Sequence, residues 1–323
     1  MRAVVLTDLA TAPALQEIAA PHPAPGEVLL SVSACGLNFA DLLMAQGRYQ
    51  ERPELPMVMG MEVAGRIKAL GAGVEGLSPG MPVAAFIGAG GLAEEVTCPA
   101  THCLPLPEAM PMTDAAGFPV AYGTSHLALS HRAGLQPGET LLVLGAAGGV
   151  GLTAVEIGAA MGARVIAVAR GAEKLAVARR AGATECLDSD GLDLRSALKE
   201  LGGVNVVYDA VGEPLATPAL RALRPEGRFL AIGFAGGEVP KFPANILLVK
   251  NITVIGLYWG GYLKFAPDTL TQSLRALLKM YAAGTLRPHV SHVLPFEAFN
   301  EGFELLRTRK STGKVVIQIT RDG

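Results

Sequence analysis

The rhythm of apolar and polar positions changes once along the chain, near Phe118. Before it, short β-branched runs (VVL at 4–6, EVLLSVSA at 27–34, VAGRIKAL at 63–70, PVAAFI at 82–87) are separated by clusters of Pro and Gly. That pattern predicts an antiparallel, β-rich domain with many turns. After it, apolar strand segments alternate with helical ones. TLLVLG (140–145) precedes a helix from about Val150, and RVIAVA (164–169) precedes EKLAVARRAGA. ECL is followed by LDLRSALKE, VNVVYDA by PLATPALRAL and RFLAIG by ANILLVK, and NITVIGL closes the set. Six strands with intervening helices predict an α/β domain built on a parallel, doubly wound sheet.

Beyond about Lys264 the chain offers a helix (TLTQSLRALLKMYAAG), a strand near His292–Leu294, a second helix (FEAFNEGFELLRT) and a closing strand, KVVIQI. The six strands already complete the doubly wound sheet, so these elements are expected to return to the first domain. The predicted organisation is therefore discontinuous: residues 1–118 and 263–323 form the β-rich domain, residues 119–262 form an α/β domain inserted within it, and a cleft separates the two. No internal repeat or low-complexity segment interrupts this plan.

Composition narrows the function classes. Lys and Arg total 27 against 29 Asp and Glu, a formal charge of -2. Such a chain has no basic field for nucleic acid or an acidic membrane surface. Asp8 interrupts the first residues before a secretory apolar segment can form, and the uncharged stretch from Thr140 to Val155 is Gly-rich and too short to span a bilayer. The four Cys, at 35, 98, 103 and 186, form no CxxC pair and no disulfide framework. Residues 98–103, Cys-Pro-Ala-Thr-His-Cys, offer three potential ligands in poor local geometry, so packing and loop roles are expected there and no metal is assigned. A soluble protein of the reducing cytoplasm is the expectation.

The chemistry concentrates at Leu144-Gly145-Ala146-Ala147-Gly148-Gly149-Val150-Gly151, which joins a predicted strand to a predicted helix. In that context a Gly-rich string reads as a dinucleotide site. Gly148 lets the backbone approach a pyrophosphate, Gly151 lets the helix pack on the strand, and the helix N-terminus presents free amides. Ala146 replaces the first Gly of the usual pattern. The second strand ends in Ala169-Arg170-Gly171-Ala172-Glu173-Lys174, with no acid at its tip to hold ribose hydroxyls. Arg170 and Lys174 instead suit a 2′-phosphate, so NADPH is the expected cofactor, although Glu173 leaves room for NADH and Lys174 also reads as an ordinary solvated helix residue.

Gly36-Leu37-Asn38-Phe39-Ala40-Asp41 through Gly47-Arg48-Tyr49, Leu55-Pro56 and Gly60-Met61-Glu62-Val63-Ala64-Gly65, taken with the glycine loop, resemble the medium-chain dehydrogenase/reductase superfamily. Within it they are similar to the zinc-free quinone oxidoreductases related to zeta-crystallin. Asp209-Ala210-Val211-Gly212, residues 251–260 and Gly313-Lys314-Val315-Val316 resemble later signatures of the same group. The resemblance spans essentially the whole chain and implies a GroES-like catalytic domain around a Rossmann domain.

In zinc-dependent members a Cys stands where Asn38 is and a His where Met61 is; neither residue here supplies such a ligand. Without a Lewis acid to stabilise an alkoxide, the resemblance implies reduction of an already electrophilic acceptor, a quinone. A reductase of 2-enoyl thioesters or enones is the alternative, and a non-enzymatic NADPH-binding protein a third.

By the same resemblance, Asn38 lies near the nicotinamide and donates to the substrate carbonyl, and Tyr49 lines the pocket or donates a proton. Thr124 meets the nicotinamide end, unless it simply caps the helix it opens. Gly233 and Phe234 pass the nicotinamide ribose, and Lys314 reaches the cofactor phosphates. Asp41 is either an orienting group or a helix-start residue. Leu43 departs from a second tyrosine found in some relatives and makes the pocket wall more apolar. A homodimer formed through the last strand of the cofactor domain is the family expectation.

Overall fold

The computed structural model describes residues 1–320, which divide into two compact units. The first comprises Met1–Val120 and the stretch from Pro288 onward, and the second is Ala121–Arg287.

The first unit begins with β1 (Arg2–Leu6), β2 (Ala14–Glu17), β3 (Glu27–Leu37), α1 (Phe39–Ala45), β4 (Met57–Val58), β5 (Glu62–Leu70), β6 (Pro82–Phe86), β7 (Glu95–Pro99), β8 (Cys103–Pro105) and α2 (Met112–Ala116). Helix α3 (Phe118–His126) then runs on as a π-helical segment, Leu127–Arg132. The second unit continues with β9 (Thr140–Leu144), α4 (Gly149–Ala160), β10 (Arg164–Ala169), α5 (Ala172–Arg180), β11 (Glu185–Asp188) and α6 (Leu194–Glu200). It ends with β12 (Val204–Asp209), α7 (Ala216–Ala222), β13 (Leu223–Ala231), α8 (Ala244–Lys250), β14 (Thr253–Gly256), α9 (Tyr262–Phe265) and α10 (Pro267–Ala282). The chain returns to the first unit as β15 (Val290–Pro295), α11 (Phe299–Arg307) and β16 (Lys314–Gln318).

The predicted parallel sheet is present. Its order is β11-β10-β9-β12-β13-β14, and every pairing is parallel. Counted from β9 this is the doubly wound order 3-2-1-4-5-6, which places the carboxyl ends of all six strands on one edge, where such sheets bind ligands. Leu141, Leu142, Val143 and Leu144 are all fully buried, as a central strand covered on both faces requires.

In the first unit β15-β16-β3-β5-β6-β8 form one sheet, with β7 added on β3, and β2-β1-β4 form a second. Val4, Leu30, Val32, Val63, Val83 and Phe296 lie in a continuous core that the returning strand β16 joins through Val315 and Ile317.

The return comes later than the expected residue 263. Helix α10 belongs to the second unit. Its apolar stripe, Leu270, Leu274 and Leu277, is buried, and Ser273 Oγ lies 2.8 Å from His126 Nδ1. A completed sheet still needs helices on its faces, so exhausting the strands did not mark the domain boundary. Trp259 is core: a Cβ on Gly123 would stand 2.7 Å from its indole. Among the described residues no helix is long and apolar enough to cross a membrane.

Candidate active site

In the second unit the glycine loop has the strand-to-helix geometry expected of it. Gly145 follows β9 at φ +71°, a conformation that favours glycine. A Cβ on Gly151 would fall 2.1 Å from the Gly145 carbonyl oxygen, so helix–strand packing alone requires that glycine. Gly148 differs. It is exposed, and a Cβ there would meet only the Gly145 oxygen, at 3.4 Å, an ordinary contact. Neither the backbone angles nor the surrounding space demands glycine at 148. The bare backbone beside the N-terminus of α4 is a cradle that a Cβ would fill, and it fits a pyrophosphate. Ala146 and Ala147 are buried beneath it, while Gly149 and Val150 open the helix.

Arg170 and Lys174 follow β10, and Gly233 and Phe234 follow β13, so all four lie on the ligand-binding edge of the sheet. A Cβ on Gly233 would approach only the Ala210 oxygen, at 3.6 Å, and Phe234 is 39% exposed. The tip of β10 is not free of acid, as the sequence alone suggested. Asp188, at the end of β11, pairs in register with Ala169. Its Oδ1 accepts from the amides of Asp190 and Gly171, both at 3.1 Å, which holds the carboxyl below its usual pKa. Asp190 pairs with Arg170 Nε at 3.0 Å, both side chains being exposed. The Asp-Ser-Asp run directly after the third strand was the available signal, since strand tips of a parallel sheet lie side by side. Thr124 is buried inside α3 and not at its start, so it caps no helix.

In the first unit a polar cluster is buried where β3, β5 and β16 meet at one end of the sheet. Pairing of Val315 with Leu37, and of Gly36 with Glu62, sets Lys314, Asn38 and Glu62 side by side. Lys314 is 6% exposed and Glu62 fully buried. The Lys314 ammonium donates three hydrogen bonds of 2.8 Å, to Leu37 O, Asn38 Oδ1 and Glu62 Oε1. Asn38 Nδ2 donates to Glu62 Oε1 at 2.9 Å and to Gly36 O at 3.3 Å, and the Val120 amide donates to Glu62 Oε2 at 2.8 Å.

This geometry corrects two expectations. Lys314 has all three ammonium protons engaged inside the first unit, so none is left for a cofactor phosphate. Asn38 has both amide protons engaged, so it can donate to a substrate only by releasing Gly36 or Glu62. Both residues instead fix the junction of β3 and α1. Tyr49 is half-buried in the segment after α1 and packs on the core of the first unit.

Asp41 takes the helix-start role. Its Oδ2 accepts from the Asn38 amide at 2.8 Å, across the first turn of α1. The side chain is fully buried, and Oδ1 makes no hydrogen bond of normal geometry. Burial raises the carboxyl to about 7; the Asn38 amide and Lys314 oppose this rise, and Glu62 adds to it. An acid held neutral in the fold but ionised when unfolded costs stability as pH climbs from the ordinary carboxylate range, near 3.8, to about 7, and no further above that. Asp41→Asn, which keeps the acceptor, is therefore expected to flatten the fall of Tm between about pH 4 and pH 7. Thermal melts of the two proteins across that range measure the difference.

A zinc centre does not fit these residues. Asn38 and the buried Met61 hold the positions of thiolate and imidazole, and the Lys314 ammonium already sits against Glu62. Among the described residues no group of three or more His, Cys, Asp or Glu is arranged to hold a metal ion.

A β-rich unit interrupted by a doubly wound sheet with this glycine loop is the architecture of the medium-chain dehydrogenases and reductases. The family model described as the alcohol dehydrogenase GroES-like domain matches residues 24–108, and that of the zinc-binding dehydrogenases matches residues 149–279. The chain is 41% identical over 297 residues to the quinone oxidoreductase-like protein 2 homolog of Nematostella vectensis, covering 90% of this chain and 81% of the relative. It is 39% identical over 322 residues to quinone oxidoreductase-like protein 2 of Bos taurus, covering 98% and 92%. The solved quinone oxidoreductase of Thermus thermophilus, described also in complex with NADPH, superposes with a TM-score of 0.87 at 37% identity, over 99% of this chain and 100% of that one. The chain belongs to the quinone oxidoreductase-like family of this superfamily.

Proposed function

We propose that the protein is an NADPH-dependent, zinc-independent reductase that transfers hydride to a quinone. The observation that carries this reading is Gly148, an exposed glycine at the head of α4 that neither backbone angles nor packing require. The naming of the T. thermophilus relative and its NADPH complex supports it. Residues 145–151, Arg170, Lys174, Gly233 and Phe234 would hold the cofactor, with Thr124 toward its nicotinamide end. NADPH, when bound, supplies the hydride. The chain contributes orientation and a preorganised polar frame from Asn38, Glu62 and Lys314. Because that frame holds an ammonium and no metal ligand set, the acceptor must be electrophilic in its own right, as a quinone is and a simple ketone is not.

A panel following NADPH oxidation with quinones, simple ketones, enones and crotonyl thioesters tests the proposal. Quinones should turn over and simple ketones should not. Preference for the thioesters, abolished by Tyr49→Phe, would transfer the assignment to the enoyl reductase reading; binding without turnover would leave a non-enzymatic NADPH-binding protein.

Arg170 is half of an exposed ion pair that a 2′-phosphate can replace with a charge-assisted bond of its own. Arg170→Ala is expected to raise KM for NADPH on the order of tenfold, with NADH nearly unaffected. Parallel KM measurements with both cofactors check it.

The homodimer belongs to the same proposal. β14 ends the sheet order, with its outer edge unpaired among the described residues, and Leu248 and Val249 on the neighbouring α8 are 76% and 68% exposed. Light scattering after size exclusion would reveal a monomer if this face stays uncovered.

A further inference from the structure

Residues 98–103, for which the proposed reaction has no use, bring two thiols together. Cys98 ends the buried part of β7, and a single helical turn, Ala100–His102, leads to Cys103 at the start of β8. The two sulfurs are 3.8 Å apart. A disulfide needs about 2.05 Å, so closure requires a further approach of the two sulfurs. The strands themselves are hydrogen-bonded to different neighbours. Cys98 pairs with Val28 of β3, whereas Cys103 pairs with Ala85 of β6. The other cysteines differ: Cys35 and Cys186 lie against the backbone carbonyls of Gly36 and Leu175.

We propose that Cys98 and Cys103 form a redox modification site, a dithiol that a hydroperoxide converts to an intrachain disulfide linking β7 to β8. Access and polarity assign the roles. Cys103 is half-buried and within reach of a small oxidant, while Cys98 is 2% exposed. The thiol–thiol contact holds the Cys103 thiol below its usual pKa and raises that of Cys98, which assigns the first attack to Cys103, the more exposed of the two sulfurs. The Cys103 thiolate attacks the terminal oxygen of the hydroperoxide, the O–O bond breaks, and Cys103 becomes a sulfenic acid as hydroxide, or the alkoxide of an organic hydroperoxide, leaves. The Cys98 sulfur then attacks the Cys103 sulfur, giving the disulfide and water. Overall two thiols lose two electrons and two protons, and one hydroperoxide is reduced.

The sequence makes the test direct. No Lys or Arg lies between Lys68 and Arg132, so trypsin releases both cysteines on one peptide, 69–132, with Cys35 and Cys186 on others. Hydrogen peroxide followed by alkylation and mass spectrometry should show peptide 69–132 lighter by two hydrogens and unalkylated. Tris(2-carboxyethyl)phosphine should reverse the change, and free thiols in denaturant should fall from four to two. Formation should be faster in the folded protein than in urea, on the order of tenfold, because the fold holds the sulfurs adjacent. In Cys98→Ser, dimedone should instead trap sulfenic acid at Cys103. The proposal is overturned if the wild-type peptide takes up oxygen or dimedone without losing two hydrogens, if both cysteines remain alkylated, or if urea does not slow the reaction. The wild-type measurements need no variant, so a misfolded Cys98→Ser protein would leave the test intact.

Discussion

Lys314→Met is expected to lower the stability of the first unit by about 3–5 kcal/mol, the usual cost of removing one partner from a buried ion pair. Glu62 would remain fully buried with a charge that only Asn38 Nδ2 and the Val120 amide then face, and the carbonyl of Leu37 and the oxygen of Asn38 would lose their donor. Two probes separate this from a general loss of fold. The chain's only tryptophan, Trp259, lies in the second unit, so its fluorescence reports that unit while far-UV circular dichroism reports both. In urea the dichroism midpoint of Lys314→Met should fall well below the wild-type value while the fluorescence midpoint moves less, a split that a single two-state fit would hide. Adding Glu62→Gln should recover part of the loss, because the second change removes the stranded charge; simple additivity of the two effects would mean that the pair is not coupled. Activity should fall with the fold of the β3–α1 junction.

The cluster that Lys314 anchors explains what the sequence could and could not disclose. Local alternation of apolar runs made the six-stranded sheet legible, and strand-to-helix context made the glycine loop legible, because both signals are contained within a few tens of residues. The polar cluster depends instead on register between strands whose contacts are 24 and 252 positions apart. Lys314 opens the apolar run Val315-Val316-Ile317, but Thr312 and Gly313 precede it, so the residue reads as an exposed cation at a strand end, free to meet phosphate. The sequence places a helix start at Thr124 but discloses neither α2 nor the first turns of α3, for a different reason. Residues 112–126 are interrupted by Gly117, Pro119 and Gly123, and their few polar residues sit near the two ends and form no 3.6-residue stripe. Asp188 and Asp190 were legible as residues but not as neighbours of Arg170 until the third strand lay against the second.

The glycine loop offers the sharpest separation of binding from folding, because substitutions at two glycines three residues apart are expected to differ in stability while both weaken binding. Gly148 has φ -79° and ψ 174°, a conformation open to any residue, and space for a Cβ. Gly148→Ala should move the Tm of the cofactor-free protein little, since the roughly 0.4–1 kcal/mol from restricting the unfolded chain is offset by a weaker N-cap at the head of α4. Its NADPH affinity should nevertheless fall on the order of 100-fold, about 2.7 kcal/mol, because the new methyl occupies the pyrophosphate cradle. Gly151→Ala should lose both properties together. Its Cβ would collide with backbone at 2.1 Å, which neither a rotamer change nor a small shift relieves, so α4 must move off β9 and take the amides of its first turn with it. Melting curves without cofactor, beside titrations of nicotinamide fluorescence, place the two variants on different axes. A Gly148→Ala protein that bound NADPH as tightly as the wild type would remove the observation on which the cofactor assignment rests, whatever its stability, because the exposed glycine would then have no ligand to make room for.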